Sequence, residues 1–318
     1  MRLVNFVPLA RSVSAIGFGC ASLGSRVDAK HGTAALARAY EEGVSWFDVA
    51  PSYGDGQAEA ILGEFLVGKR AQVVLCTKVG KAPGRPGLVA RMLKPTAQQV
   101  LKVVPQLRGL AAGAHAQSVQ AALTGALIKS SIADSLKRLR TDHVDVLALH
   151  DVRLVDMQRE DVLRALEDAV CGGQARCISM AGEVEVALCA VSLSSRIRVI
   201  QVADNFFSPN IERAKRELGR DMQLGFVGHS VFGHAGPLER FAESVRDKPA
   251  KRRLLESAGY RGSAAEMAAA FLLDFALASN RDGVVLLSMY EEKHLRSNLG
   301  RLAAAPAPEV VLGLRDRL

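Results

Sequence analysis

Eight short apolar runs, each followed by a stretch with helical spacing, constrain this chain more than any other feature of its sequence. The runs are Val13–Phe18, Val44–Asp48, Val73–Lys78, Val144–Leu149, Ala175–Ser179, Val199–Ala203, Gln223–Val227 and Val284–Leu287. Short and dominated by Val, Ile and Leu, they read as strands buried on both faces. Helical spacing is found at Thr33–Glu42, Ala58–Leu66, Ser130–Leu139, Arg159–Val170, Val184–Val191, Ile211–Leu218, Ala264–Ala278 and Glu291–Leu299. Gly43, Gly172 and Gly219 fall where helix ends need them. Eight strand–helix repeats are what an α/β fold of the (β/α)8 TIM-barrel type requires. A doubly wound sheet is the alternative, but Gly17-Phe18-Gly19 lacks the third glycine of a dinucleotide-binding turn. A chain of 318 residues could hold two domains, yet one barrel fits the same length and no low-complexity linker divides it. We therefore read residues 1–318 as a single barrel domain.

Three segments interrupt the repeat. Met1 to Arg11 has room for a small hairpin before the first barrel strand, and long loops are expected after strand three (Lys81–Gln120) and strand seven (His229–Gly262). Loops of such length at strand ends cover or shape sites. The net charge of +8 is uneven, since no acid lies between Glu64 and Asp134 while Lys78, Lys81, Arg85, Arg91, Lys94 and Lys102 do. Without interleaved aromatics, that stretch reads as a solvated basic loop, and neither nucleic acid nor a membrane surface is expected as partner. The five cysteines show no C-x-x-C spacing, which points to reduced thiols in a cytoplasmic protein without a zinc framework. No signal peptide or membrane-spanning run is read from the sequence.

The chemistry lies where the apolar runs stop. Val44–Gly54 reads V-S-W-F-D-V-A-P-S-Y-G, delivering Asp48 at a strand end and Tyr53 on the turn that follows. Two later runs end in Lys78 and His150. A lysine ending a buried strand beside an aspartate forms a charge-holding ion pair. That ammonium is expected to lower the pKa of Tyr53 and make it a proton donor or acceptor near neutrality. His150 can hydrogen-bond a substrate carbonyl. Nothing in this set supplies a hydride, so a nicotinamide cofactor is needed. Taken singly, each residue has an ordinary structural reading as cap, wall, snorkelling amine or satisfied histidine. Four together at barrel strand ends do not.

These residues sit in motifs that resemble the aldo-keto reductase family over nearly the whole chain. The stretch from Phe47 to Gly54 (F-D-V-A-P-S-Y-G), the pair Thr77-Lys78, and the segment from Ser135 to His150 (S-L-K-R-L-R-T-D-H-V-D-V-L-A-L-H) carry the resemblance. It implies a tetrad of Asp48, Tyr53, Lys78 and His150, with Tyr53 as general acid in reduction and base in oxidation. It also implies NADP or NAD as cofactor, with Gly19 and Cys20 beside it and Ser179, Met180 and Gln201 at the nicotinamide amide. Met180 stands where the family has an Asn. After strand seven, His229, Ser230 and Val231 fall in the nicotinamide-stacking segment. After strand eight, Ser288, Met289, His294, Ser297 and Asn298 fall in the adenosine-phosphate clamp. Ser288 and His294 replace the usual cations there, with Lys293 and Arg296 close by, so the choice of dinucleotide stays open. Phe206 and Phe207, after strand six, read as barrel wall or packing and not as ligand contacts. The flavour of the segments after strands four, seven and eight is similar to bacterial aldose and pyridoxal dehydrogenase-like members. That implies a small carbonyl or sugar substrate, with Arg85, Arg91 or Lys94 able to meet an anionic group on it. The alternative class is a cofactor-bound interaction subunit, as in potassium-channel β-subunits. Monomer or weak dimer is the default.

Overall fold

The computed structural model describes residues 1–81, 122–219, 223–233 and 236–318. The chain opens with an antiparallel hairpin of β1 (Leu3–Phe6) and β2 (Arg11–Ser14), in which Val4 pairs with Val13 and Phe6 with Arg11. The apolar run at Val13–Phe18 is therefore not one strand. It breaks at Ala15, and β3 (Ile16–Gly19) begins the barrel. The break has a local cause: Ser14 N donates to Ser45 Oγ and Ser45 N to Ser14 Oγ, both at 2.9 Å, which fastens the hairpin across the barrel floor.

Seven more strands follow: β4 (Trp46–Asp48), β5 (Val74–Val79), β6 (Val144–His150), β7 (Ala175–Ala181), β8 (Ile197–Ala203), β9 (Gly225–His229) and β10 (Val284–Leu287). They pair in parallel in chain order from β3, and β10 closes the barrel between β9 and β3. This is the eight-stranded barrel the repeat implied.

Alternation along each strand divides the core in two. Trp46, Val74, Cys76, Val146, Ala148, Cys177, Val199, Val227, Val284 and Leu286 fill the barrel with Phe6 and Val13 of the hairpin. Their neighbours, such as Phe47, Leu75, Leu147, Ile178 and Ile200, pack outward against the helices. Phe6 meets Trp46 edge-on at 5.0 Å and plugs the floor. Gly225 opens β9 because a Cβ there would lie 2.3 Å from the Phe6 ring.

The helices are α1 (Ala29–Glu41), α2 (Ala58–Phe65), α3 (Gly125–Leu139), a short α4 (Leu154–Met157), α5 (Glu160–Cys171), α6 (Val184–Leu193), α7 (Asn210–Leu218), α8 (Pro237–Asp247), α9 (Pro249–Ser257), α10 (Ala264–Ser279), α11 (Glu292–Ala304) and α12 (Pro308–Gly313). Their starts follow from capping chemistry. Asp28 accepts from His31 N, Thr124 from Leu127 N, and Ser263 forms a reciprocal capping box with Glu266.

The stretch after strand seven is not a plain loop, because α8 and α9 occupy most of it. Each opens with proline, whose fixed φ and missing N–H suit a first helical turn. Phe241, Val245 and Leu255 bury these helices against Phe271 and Phe275 of α10, forming a satellite core. The segment expected as a loop after strand three lies, beyond Lys81, outside the described residues, and Arg85, Arg91 and Lys94 lie there too. Among the described residues, no helix is long and apolar enough to cross a membrane.

Candidate active site

At the carboxyl end of the barrel, Asp48 and Lys78 form a buried ion pair, the acid 2% and the lysine 2% exposed. Lys78 Nζ also donates to Val49 O at 3.2 Å, and Gln201 Nε2 donates to the other oxygen of Asp48 at 2.9 Å. Burial alone would lower the lysine pKa. The Asp48 carboxylate, helped by Tyr53, outweighs it, so the pKa is raised and the ammonium stays charged.

Tyr53 comes from a turn instead of a strand. The backbone at Gly54 and Asp55 is left-handed, with φ of 58° and 57°. A Cβ on Gly54 would lie 1.6 Å from Leu23 O, so only glycine lets the turn pack this closely. The Lys78 ammonium lies 5.0 Å from the centroid of the Tyr53 ring. The expected lowering of the Tyr53 pKa is not found. Burial pushes it up, and the pull of Lys78, though opposite, is the smaller effect. The phenol therefore keeps its proton at neutral pH.

His150 ends β6 with its ring edge-on to Tyr53, centroids 5.9 Å apart at 89°. Burial first, then the charges of Lys78, Lys81 and His229, push its pKa down to about 2, so the imidazole is neutral. Its Nδ1 is buried without a hydrogen-bond partner among the described residues. So is the hydroxyl of Ser179, wholly buried on β7. Unsatisfied polar atoms at a strand end fit a bound amide or carbonyl, and the Ser179 hydroxyl suits the nicotinamide amide.

The other expected cofactor residues divide by position. Gly19 pairs in register with Asp48, and Cys20 N donates to Asp48 O at 2.8 Å, so both border the tetrad through backbone. Gln201 reaches the site but is tied to Asp48. His229 Nδ1 lies 2.8 Å from Ser230 Oγ, and Asn205 Nδ2 holds Ser230 O at 3.0 Å, bracing a Ser230 backbone with φ of 58°. Met180, Val231 and Met289 are buried in the layer between strands and helices. The side chain of Met180 is thus a packing group facing away from the barrel interior. Ser288, His294 and Ser297 are exposed and Asn298 is half-buried at the start of α11. Arg296 there is paired with Glu292 at 2.5 Å. Phe206 packs on Phe241, Phe271 and Phe275 of the satellite core, a packing role and not the barrel wall, whereas Phe207 is 43% exposed. Among the described residues, no group of His, Cys, Asp and Glu could hold a metal ion.

Two features escaped the sequence reading. Glu59 of α2 is buried, accepting from Thr77 Oγ1 at 2.5 Å and Arg138 Nε at 2.7 Å, and so anchors β5 one residue before Lys78. The signal was a lone acid in the apolar A-E-A-I-L-G stretch. Lys81 and Asp151 form an ion pair at the mouth beside His150, with Asp151 at φ 48°.

A family model described as the Aldo/keto reductase family matches residues 15–311. The chain is 29% identical over 229 residues to a D-threo-aldose 1-dehydrogenase from a Pseudomonas species, covering 70% of this chain and 66% of that protein. It is 32% identical over 152 residues to a pyridoxal 4-dehydrogenase from Microbacterium luteolum, covering 44% and 40%. The chain thus spans less than two thirds of the length of either relative. Among solved structures, an aldo-keto reductase from Klebsiella pneumoniae in complex with NADPH superposes with a TM-score of 0.70 at 21% identity, covering 99% of this chain and 94% of that one. One from Bacillus halodurans in its holo form gives 0.69 at 19% identity, covering 99% and 96%.

Proposed function

The chain belongs to the aldo/keto reductase family, and from that premise we propose that it is an NAD(P)-dependent oxidoreductase interconverting a carbonyl and an alcohol, with Tyr53 as the proton-transferring group. The observation that carries this reading is the buried Asp48–Lys78 pair set against a protonated Tyr53 and a neutral His150.

When bound, the nicotinamide dinucleotide supplies or accepts the hydride. Ser179 would hold its amide, with Gly19 and Cys20 beside it; the exposed start of α11 would meet its adenosine end. The protein's own residues handle the oxygen and the proton. A neutral His150 has one N–H to give to a carbonyl oxygen and adds no positive charge of its own. Tyr53 donates its phenolic proton to that oxygen as the C–H bond forms, leaving a phenolate. Lys78 stabilises that phenolate because Asp48 keeps it charged in a dry site. In oxidation the same phenolate takes the alcohol proton.

For substrate we propose a hydroxyl-bearing aldehyde, either an aldose or a hydroxylated ring aldehyde. The two curated relatives are named for an aldose and for pyridoxal. The Lys81–Asp151 pair puts hydrogen-bonding groups of both signs at the mouth beside His150.

The test is turnover of aldoses and ring aldehydes with NADH and NADPH by the parent and Tyr53→Phe. General acid–base terms contribute about 10²–10⁴-fold, so kcat should fall by at least that range while cofactor affinity changes less than about twofold. A Tyr53→Phe enzyme within a few-fold of the parent would remove Tyr53 from the reaction. Cofactor binding with no turnover across the panel would sink the enzymatic reading itself.

A further inference from the structure

The floor of the barrel, remote from the tetrad, gathers arginines around a single buried acid. Asp145, the second residue of β6, accepts from Leu75 N at 2.9 Å, and Arg70 Nη2 lies 2.8 Å from the same oxygen. Arg176 Nε lies 3.4 Å from its other oxygen. Arg11, at the start of β2, donates to Val73 O at 3.3 Å, the same carbonyl that Arg70 Nη1 reaches at 3.3 Å. Two guanidiniums therefore converge on one oxygen. Among the described residues Arg11 has no carboxylate partner.

The local charge does not balance. Arg11, Arg70 and Arg176 against Asp145 leave an excess of two positive charges. Asp142, held by His143 Nδ1 at 2.7 Å, is 93% exposed and Arg176 is 52% exposed, so solvent screens both and a positive excess remains around Arg11 and Arg70. A structural tie explains Arg70 and Arg176, which hold the buried acid. It explains neither Arg11 nor the space these groups surround. Arg11, Arg70, His143 and Arg176, with Leu9, line a cavity of about 460 Å³. Arg176 also borders a second cavity of about 540 Å³, where Arg196 is paired with Glu167 at 2.8 Å and Arg198 also lines the wall.

We propose that this floor is a binding site for a phosphate-bearing small molecule, separate from the reaction centre. A phosphate carries roughly one and a half to two negative charges at neutral pH, opposite in sign to the local excess. Guanidinium forks bind its oxygens in pairs. The cavity falls within the roughly 300–1,000 Å³ typical of small-ligand sites. Arg11 and Arg176 clasp the phosphate while Arg70 stays on Asp145, and the organic part extends along the cavity.

The experiment is ³¹P relaxation of inorganic phosphate titrated with the full chain at fixed ionic strength. Three proteins are compared: the parent, Arg11→Gln, and Arg253→Gln at an exposed position of α9, which lowers the net charge by the same amount. Saturable binding by the parent, weakened about tenfold in Arg11→Gln and unchanged in Arg253→Gln, supports the site. Should Arg11→Gln fail to fold, Arg11→Lys keeps the charge but loses the fork, and about threefold weaker binding is expected. No saturable binding by the parent would overturn the proposal. So would unchanged affinity in the Arg11 variant, or equal weakening in both glutamine variants, the mark of diffuse attraction to a basic protein.

Discussion

The Asp48–Lys78 pair should behave as one unit, and a double-mutant cycle measures whether it does. Lys78→Met leaves the Asp48 carboxylate buried and uncompensated, with the Gln201 amide still donating to it. Asp48→Asn leaves the ammonium without its countercharge, with Val49 O still accepting from it. Removing one partner of a buried pair costs about 3–5 kcal/mol, because the charge left behind is desolvated and uncompensated. Additivity would then put the double variant at about 6–10 kcal/mol, comparable with the whole stability of a typical protein. The structure argues for far less. In Lys78→Met/Asp48→Asn no charge remains, the introduced side-chain amide would still accept from Gln201, and the methionine fills the channel of the lysine stem. Replacing a buried pair by neutral groups is often nearly free, so about 1–3 kcal/mol is expected. Trp46 is the single tryptophan and lies wholly buried two residues before Asp48, so its fluorescence reports urea unfolding directly. All three variants should lose turnover. A Lys78→Met protein destabilised by less than about 1 kcal/mol, or a double variant equal to the sum of the singles, would refute the claim that the pair is dry and interdependent.

Two further outcomes follow from the same geometry. Gly54→Ala should cost about 2–4 kcal/mol, from left-handed strain plus the overlap with Leu23 O, and should depress kcat by moving Tyr53; urea unfolding and steady-state rates at parental levels would contradict this. His150, with a folded pKa of about 2 against an ordinary 6.5, lets the unfolded chain take its proton first. Its effect on stability is absent above pH 6.5 and grows as a loss from there down to about pH 2, at up to about 1.4 kcal/mol per pH unit. His150→Gln should therefore flatten part of the acid limb of stability against pH, and an unchanged limb would show that the ring is solvated.

The strands were legible because burial on both faces writes itself as continuous apolar runs. The boundary that failed, at Ala15, could not be read this way: Val13 belongs to the hairpin and Ile16 to the barrel, yet both are fully buried. What separates them is the reciprocal contact of Ser14 with Ser45, residues 31 apart in the chain. The helices α8 and α9 were hidden by their polarity, since each buries only one or two residues. The Tyr53 shift went wrong in sign for a related reason. A neighbouring lysine can be read from strand ends, but the desolvation that outweighs it depends on everything packed around the ring.

Strand parity explains why most of the site was nevertheless visible. Asp48, Lys78, His150, Ser179, Gln201 and His229 each stand two residues beyond an interior apolar residue: Trp46, Cys76, Ala148, Cys177, Val199 and Val227. Side chains two apart on a strand share a face, so every one of these polar groups points inward, directly above the plug that Phe6 and Trp46 seal from below. The same row makes the site dry at its base and polar at its mouth: within it Asp48 keeps Lys78 charged against burial, while burial keeps His150 neutral. Met180 is out of phase with this row, one position past Ser179, and packs with Ile178 against the helices. In the proposed reaction the carbonyl chemistry is therefore assigned to the inward row and to Tyr53. Among these groups Tyr53 reaches the site from a turn, so the proposed proton donor is placed by Gly54, which has no room for a Cβ.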